Sequence, residues 1–288
     1  MNREYINDIA AKIELDPELV DCVNQFLDVR SVIVDSLARQ ISSDVSIARM
    51  KMLIREMKKY EDNGYILALC VVLAITEKTW EKYQKLGIGE DVFIDTMRDI
   101  PIWCENCKLK YGVNGLENVL WIANHLAANI FRLGRLQFQM VKVVLPPFIK
   151  FRARRRSPVK FGDNAIYIHI PQGDKLTEEA CDLSMEKAHD FFRQYFPKYK
   201  YEYFICESWL LYPENRNFMA PESNIICFAD RFEILGSSFL SLQGYERIWG
   251  KKCLSVDDYE ENTTLQKNAK IYIKNGGRLG TAFGIIKK

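Results

Sequence analysis

Residues 165–196, AIYIHIPQGDKLTEEACDLSMEKAHDFFRQYF, carry the reading that decides the fold. Ala165–Ile170 is short, β-branched and aromatic, the composition of a strand. Pro171, Gly173 and Asp174 break that pattern and mark a loop. From Thr177 the inward positions recur at helical spacing (Ala180, Leu183 or Ser184, Ala188, Phe191, Tyr195) until Pro197 stops the run. YKYEYFICESWLLY (199–212) reads as a second strand. Strand, crossover helix and strand in succession make a βαβ unit, whose two strands lie parallel in one sheet.

Before that unit, RLQFQMVKVV (135–144), FIKFRAR (148–154) and NAIYIHI (164–170) read as strands separated by Pro-Pro, Ser-Pro and Gly-Asp-Asn turns. After it, SNIICFADRFEIL (223–235) reads as a helix opened by a Ser-Asn cap, and GYERIWG (244–250) as a short strand. TTLQKNAKIYIKNGG (263–277) reads as a helix ended by Gly276-Gly277, and LGTAFGII (279–286) as the last strand. Strands on both sides of a βαβ unit predict a mixed sheet flanked by helices, not a doubly wound parallel one.

The first part of the chain has a different character. Asp16-Pro17-Glu18 is a helix start, with Asp16 as cap and Pro17 tolerated at the first helical position. Ile47, Met50, Leu53, Ile54 and Met57 form one helical stripe. Tyr65–Ile75 is an apolar run of eleven residues, short of the roughly 20 that span a bilayer, so it reads as a buried core helix. ENVLWIANHLAANIFRL (117–133) completes the helical part or opens the next domain. The fold class is α+β.

A chain of 288 residues suits about two domains. Its 40 basic and 38 acidic side chains exclude a strongly basic nucleic-acid coat. The charges divide unevenly: residues 1–116 hold 15 basic and 19 acidic groups, leaving 25 and 19 for residues 117–288. The N-terminal MNREYINDIAAKIELD is charged throughout and lacks the apolar core of a signal peptide. We therefore expect a cytoplasmic protein with reduced cysteines and no membrane association. Cys104-Glu-Asn-Cys107 has the spacing of half a zinc site or a redox pair, but no partner motif follows and no strand precedes it. Buried structural thiols are the better reading, and no metal site is expected.

Three histidines are present, His125, His169 and His189. His189, beside Asp190 in mid-helix, reads as a surface residue, and His125 suits a satisfied core position. His169 ends a strand just before the loop that opens a helix, the place where sheets of this kind bind ligands. Imidazole titrates near neutral pH, so His169 is the best general-base candidate, although the same position suits a residue that only packs.

The segments HIPQGDKLTEEACDLSMEKAHDFF (169–192), FICESWLLYP (204–213) and SNIICFADRFEI (223–234) resemble a group of bacterial acyltransferases. In that group a GNAT-like domain follows a helical N-terminal domain, and WIANHLAANIFRLGRLQFQ (121–139) resembles their junction. The resemblance implies a helical domain over 1–116 and a GNAT-like domain over 117–288. It also implies transfer of an acyl group from acetyl-CoA or another acyl-CoA to an amine of a small molecule or peptide. By position in such a domain, Ile170, Gln172, Gly173 and Lys175 would hold the CoA pyrophosphate, and Asn224 would bond the pantetheine arm. Glu207 or His169 would be the base and Tyr212 the acid. The family's Q/R-x-x-G-x-G/A loop is replaced here by Ile-Pro-Gln-Gly-Asp-Lys-Leu-Thr. A letter-for-letter match at Gln84–Gly89 follows a helix rather than a strand, so Gly87 reads as a helix end.

Two further readings stand beside this one. A GNAT-like fold without CoA activity would bind a small molecule or peptide in the cleft, with Asp174, Glu178 and Glu179 facing a cationic ligand. A nucleic-acid-associated protein would use the basic stretch Lys150–Arg156, a role the near-neutral chain makes the least favoured.

Overall fold

Local signals set most of the helical boundaries. The computed structural model describes residues 2–149 and 155–288. The chain divides into two units, Met1–Gln137 and Phe138–Lys288.

In the first unit, α1 (Arg3–Lys12) precedes α2 (Pro17–Ser42), where the Asp16 side chain accepts from the Glu18 amide and Pro17 takes the first turn. α3 (Ile47–Met57), α4 (Asn63–Leu86), α5 (Glu90–Met97), α6 (Asp99–Tyr111) and α7 (Val119–Leu126) follow. α4 is the hub. Its residues 66–73 are buried on every side, against α1, α2, α3 and α7. The helix stops at Gly87, whose φ of 73° is the left-handed conformation that ends helices. The Gln84–Gly89 match is thus a helix end followed by the start of α5. Among the described residues no helix is long and apolar enough to cross a membrane.

Residues 117–133 are only partly helical. α7 ends at Leu126, and β1 (Ile130–Leu133) replaces the expected last turn. Two facts account for this: Ala128 adopts φ 57°, outside helical space, and the Arg132 amide bonds to Thr96 Oγ1 at 3.0 Å. Cys104 and Cys107 sit on α6, buried. Burial raises both thiols, that of Cys107 to about 12, which keeps them protonated and inert.

The six-stranded sheet runs β1-β2-β3-β4-β6-β5, with β2 at Leu136–Lys142, β3 at Asn164–His169, β4 at Tyr203–Ser208, β5 at Glu233–Ser238 and β6 at Thr281–Lys287. β3 and β4 are parallel, while β4–β6 and β5–β6 are antiparallel, so the sheet is mixed as expected. The crossover helix α8 (Glu178–Tyr195) is capped by Thr177, whose hydroxyl accepts from the Ala180 amide. Its inner stripe is Cys181, Ser184, Ala188, Phe191 and Phe192, with Leu183 pointing outward. His189 is half-buried rather than a surface residue, its ring edge-on to Phe204 of β4 at 5.1 Å. The opposite sheet face carries a cluster that includes Val143, Leu145, Ile149 and Val159 over Ile205, Phe283 and Ile285.

Two expectations in the C-terminal part change. Residues 223–235 split into α9 (Asn224–Ala229) and β5, because Glu233–Ser238 pairs with β6. Residues 244–250 belong to α10 (Gln243–Trp249), not to a strand. Tyr245 and Ile248, three apart, are its buried pair, and Gly250 at φ 76° ends it. α11 (Thr264–Lys274) opens on a capping box between Thr263 and Gln266. The expected strand at 148–154 falls largely on residues 150–154, outside the described residues. Phe148 lies in a turn, where the Ile149 amide bonds to Pro146 O at 3.1 Å. Of the basic stretch, Arg155 and Arg156 are described and are exposed.

A buried polar knot ties α6 and α7 of the first unit. The Asp99 carboxylate, 2% exposed, accepts from the indoles of Trp103 at 3.0 Å and Trp121 at 2.6 Å and from the Gln137 amide at 2.8 Å. His125 Nε2 lies 3.3 Å away, and burial pushes that imidazole below its usual range. Asp99→Leu takes the acceptor from the buried Gln137 amide and from two half-buried indoles and should cost about 3 kcal/mol. Urea unfolding followed by tryptophan fluorescence measures this; an unchanged midpoint would sink the assignment.

Candidate active site

The site grows out of a gap between two strands. β3 and β4 pair through Ile166–Phe204 and Tyr167–Ile205, although the strands run on to His169 and Ser208. Beyond the last pair a side chain takes the place of the ladder. The Tyr167 hydroxyl accepts from the Glu207 amide at 2.8 Å and donates to the Glu207 carbonyl at 3.2 Å. A phenol thus satisfies a backbone donor and acceptor that a neighbouring strand would otherwise have met. Burial raises the Tyr167 phenol far above its ordinary value, so it stays neutral.

Register then places the two expected bases. Paired residues in a sheet point to the same face, and so do residues two apart on one strand. His169 and Glu207 each stand two residues past the Tyr167–Ile205 pair. They therefore share the face of Tyr167, one on either side of the divergence. The His169 ring stacks on Tyr167 with centroids 4.5 Å apart and planes 20° from parallel. Its Nε2 lies 2.9 Å from Oε1 of Gln139 on β2. Glu207 is half-buried, and burial raises its carboxyl above the usual carboxylate range, the direction a general base near neutral pH needs.

The other expected residues are placed less closely. Tyr212 follows the 3₁₀ turn Trp209–Leu211 that leaves β4. It is buried against Gly280, where a Cβ would come within 2.7 Å of the tyrosine ring. Burial raises its phenol to about 12, with Glu214 adding to the shift, so Tyr212 stays protonated at neutral pH. Ile170, Gln172, Gly173 and Lys175 lie in the loop between β3 and α8. Gly173 has φ 124°, and no atom stands within 4 Å of where its Cβ would be. That geometry lets another group approach the backbone closely. Lys175 is exposed, as are Asp174, Glu178 and Glu179. Arg231 offsets part of this negative charge, bonding Asp182 and, at 3.1 Å, the Glu178 carbonyl. Asn224 is the exposed first residue of α9, and the cap itself is Ser223.

Gln139 and Tyr167 did not emerge from the sequence. The i, i+2 spacing of Tyr167 and His169 was a usable signal for Tyr167. Nothing local marks Gln139, because only strand pairing brings β2 beside β3.

Residues 130–286 match the model of a GNAT-like C-terminal domain, and residues 4–128 match that of an N-acyltransferase N-terminal domain. The chain belongs to this family of GNAT-like N-acyltransferases. Solved structures share its fold. One is an acyltransferase in complex with decanoyl-CoA and teicoplanin, 19% identical, with TM-score 0.76 over 99% of this chain and 88% of that one. Another is an acyltransferase in complex with CoA and 10C-teicoplanin, 20% identical, with TM-score 0.75 over 98% of this chain and 87% of that one. No protein of curated function matches the chain in sequence.

Two outcomes follow for this acyltransferase. Tyr167→Phe leaves the Glu207 amide and carbonyl unpaired and should cost about 1–3 kcal/mol in denaturant unfolding. An unchanged midpoint would refute the role of the hydroxyl. The raised Glu207 carboxyl binds its proton more tightly in the folded state. Its contribution is complete below the ordinary carboxyl value and is lost as pH rises through the raised one. As pH rises above the ordinary carboxyl value of about 4.3, Glu207→Gln should lose less stability than the parent protein; parallel pH profiles would contradict this.

Proposed function

We propose that the protein transfers an acyl group from a CoA thioester to a primary amine of a small molecule or peptide, at the open end of the β3/β4 pair. The observation that carries this reading is the pair of titratable groups, His169 and Glu207, on one face across the divergence. Family membership supports it, as does a shared fold with an acyltransferase crystallised with decanoyl-CoA.

In this mechanism His169 takes a proton from the acceptor ammonium, and the Glu207 carboxylate attracts that cation. The amine nitrogen then attacks the thioester carbonyl carbon. The C–S bond breaks and the amide forms; as the CoA thiolate takes the Tyr212 proton, the second proton of the attacking nitrogen passes to the tyrosinate and restores the phenol. Glycine at position 173 lets the CoA pyrophosphate approach the loop backbone, while Lys175 and the amino end of α8 supply positive potential. Asp174, Glu178 and Glu179 act against them. We expect them to weaken CoA binding, and Arg231 to limit the loss by holding Asp182 and the Glu178 carbonyl.

Thermal unfolding with and without millimolar acetyl-CoA tests the reading. A ligand at about 100 times its dissociation constant adds roughly 2.7 kcal/mol, a rise of several degrees for a chain of this size. Gly173→Trp should abolish that rise. His169→Gln should keep it and lower kcat for thiol release with an amine acceptor about 10²–10⁴-fold. Absence of any shift with acetyl-CoA or free CoA would overturn the CoA assignment and leave a cleft for a cationic ligand.

A further inference from the structure

A cation stands at the same end of the sheet as the two titratable groups. β3 and β4 are parallel, and β4 and β5 are each antiparallel to β6, so β3, β4 and β5 all run the same way. Their carboxyl ends, at His169, Ser208 and Ser238, therefore lie at one end of the sheet. Gly280, just before β6, draws three segments together there. A Cβ on it would come within 2.4 Å of the Ser238 carbonyl oxygen and 2.7 Å of the Tyr212 ring, so a residue without a side chain is needed. Phe239 follows Ser238, and Arg278 stands two residues before Gly280. The guanidinium carbon of Arg278 lies over the Phe239 ring, 4.7 Å from its centroid, within cation–π range. Burial raises the Tyr212 phenol, and the charge of Arg278 acts against that rise.

This cation is open to a ligand. Arg278 is exposed, and Phe239, Leu240 and Leu242 form an exposed apolar rim beside it. Among the described residues no carboxylate pairs with Arg278. Glu214, the acid of this neighbourhood, is bonded instead to the Tyr272 hydroxyl. A guanidinium has five donors in a planar fork and no acceptor, which fits the two oxygens of a carboxylate. The ring of Phe239 restricts its motion and leaves its N–H groups available.

We propose that Arg278, held over Phe239, binds a carboxylate of the acyl acceptor, which makes the substrate an amine that also carries an acid: an ω-amino acid or a short peptide. This rests on the reading of the β3/β4 opening as the acyl-transfer site. There Glu207 attracts the ammonium, and Arg278 attracts the opposite charge of the same molecule. Phe283, the partner of Glu207, is five residues from Arg278, at most about 17 Å along an extended chain. Two long side chains and a small amino acid together bridge that span. CoA phosphates are the other source of anionic oxygens. The loop at 170–175 adjoins β3, whereas Arg278 and Phe239 adjoin β6 and β5 beyond β4 in the strand order, which favours the acceptor.

The probes are ω-amino acids from β-alanine to 6-aminohexanoate, each paired with its neutral amide, and the assay is thiol release from acetyl-CoA at low salt. The best-fitting amino acid should show a kcat/KM about fivefold above that of its amide, the range of an exposed ion pair. Arg278→Gln should bring the two level through a higher KM for the amino acid. Arg278→Lys should keep part of the preference, because the charge remains without the fork. Phe239→Leu, which keeps the apolar rim but not the ring face, should reduce it. A second readout needs no turnover. In full-length protein labelled with ¹⁵N-arginine, the Nε–H signal of Arg278, assigned by its loss in Arg278→Gln, should shift with the amino acid and not with the amide. Equal rates for amino acid and amide overturn the inference and leave the acyl-transfer reading standing. A rise in the KM of acetyl-CoA in Arg278→Gln, with both probes, makes the anion a CoA phosphate and overturns the acceptor assignment. So does a fall in kcat shared by both probes, which would mean that Arg278 acts on Tyr212 alone. A shifted Arg278 signal without thiol release from any probe overturns the acyl-transfer reading itself, and the acceptor assignment with it.

Discussion

The Tyr167 hydroxyl stands where a strand should be, and the site depends on that substitution. Two parallel strands that diverge leave amide and carbonyl groups facing each other at too great a distance to bond. In a buried sheet each such group costs free energy unless something meets it. Here a phenol on β3 bridges to both polar groups of Glu207 on β4. The strands can separate at their carboxyl ends without leaving that donor and acceptor unsatisfied. The same ring then serves as the surface on which His169 stacks.

Electrostatics at the neighbouring loop work in two directions. The amino end of α8 and Lys175 favour an anion, while Glu178 and Glu179 in the first turn stabilise the helix by offsetting its dipole. Helix stability and anion binding therefore compete for one place. Arg231 on the far side of β4 in the chain joins this balance through Asp182 and the Glu178 carbonyl. The helical unit resolves a different problem. Asp99 is a buried carboxylate, and its donors are two indoles and an amide rather than a lone cation. Neutral donors satisfy its oxygens without the desolvation cost of burying a second charge.

Much of the fold was legible in the chain because it is written in local chemistry. The caps at Asp16, Thr177 and Thr263, the stop at Gly87 and the apolar run of α4 each act within a few residues, so reading them needs no tertiary knowledge. The errors arose where pairing or packing outweighs local preference. Glu233–Ser238 becomes a strand because β6 offers it an edge. Residues 244–250 become a helix because Tyr245 and Ile248 must share one buried face.

The sequence by itself determined the α+β class, the βαβ unit and the position of His169 at the end of its first strand. It also determined the residue type at Glu207 and the family resemblance carried by residues 169–234. Tertiary structure alone decided which residues meet. Strand order and register, properties of non-local pairing, set Gln139 beside His169 and the Tyr167 hydroxyl against Glu207. Burial, which no single residue carries in its own chemistry, raised the carboxyl of Glu207 and the phenol of Tyr212.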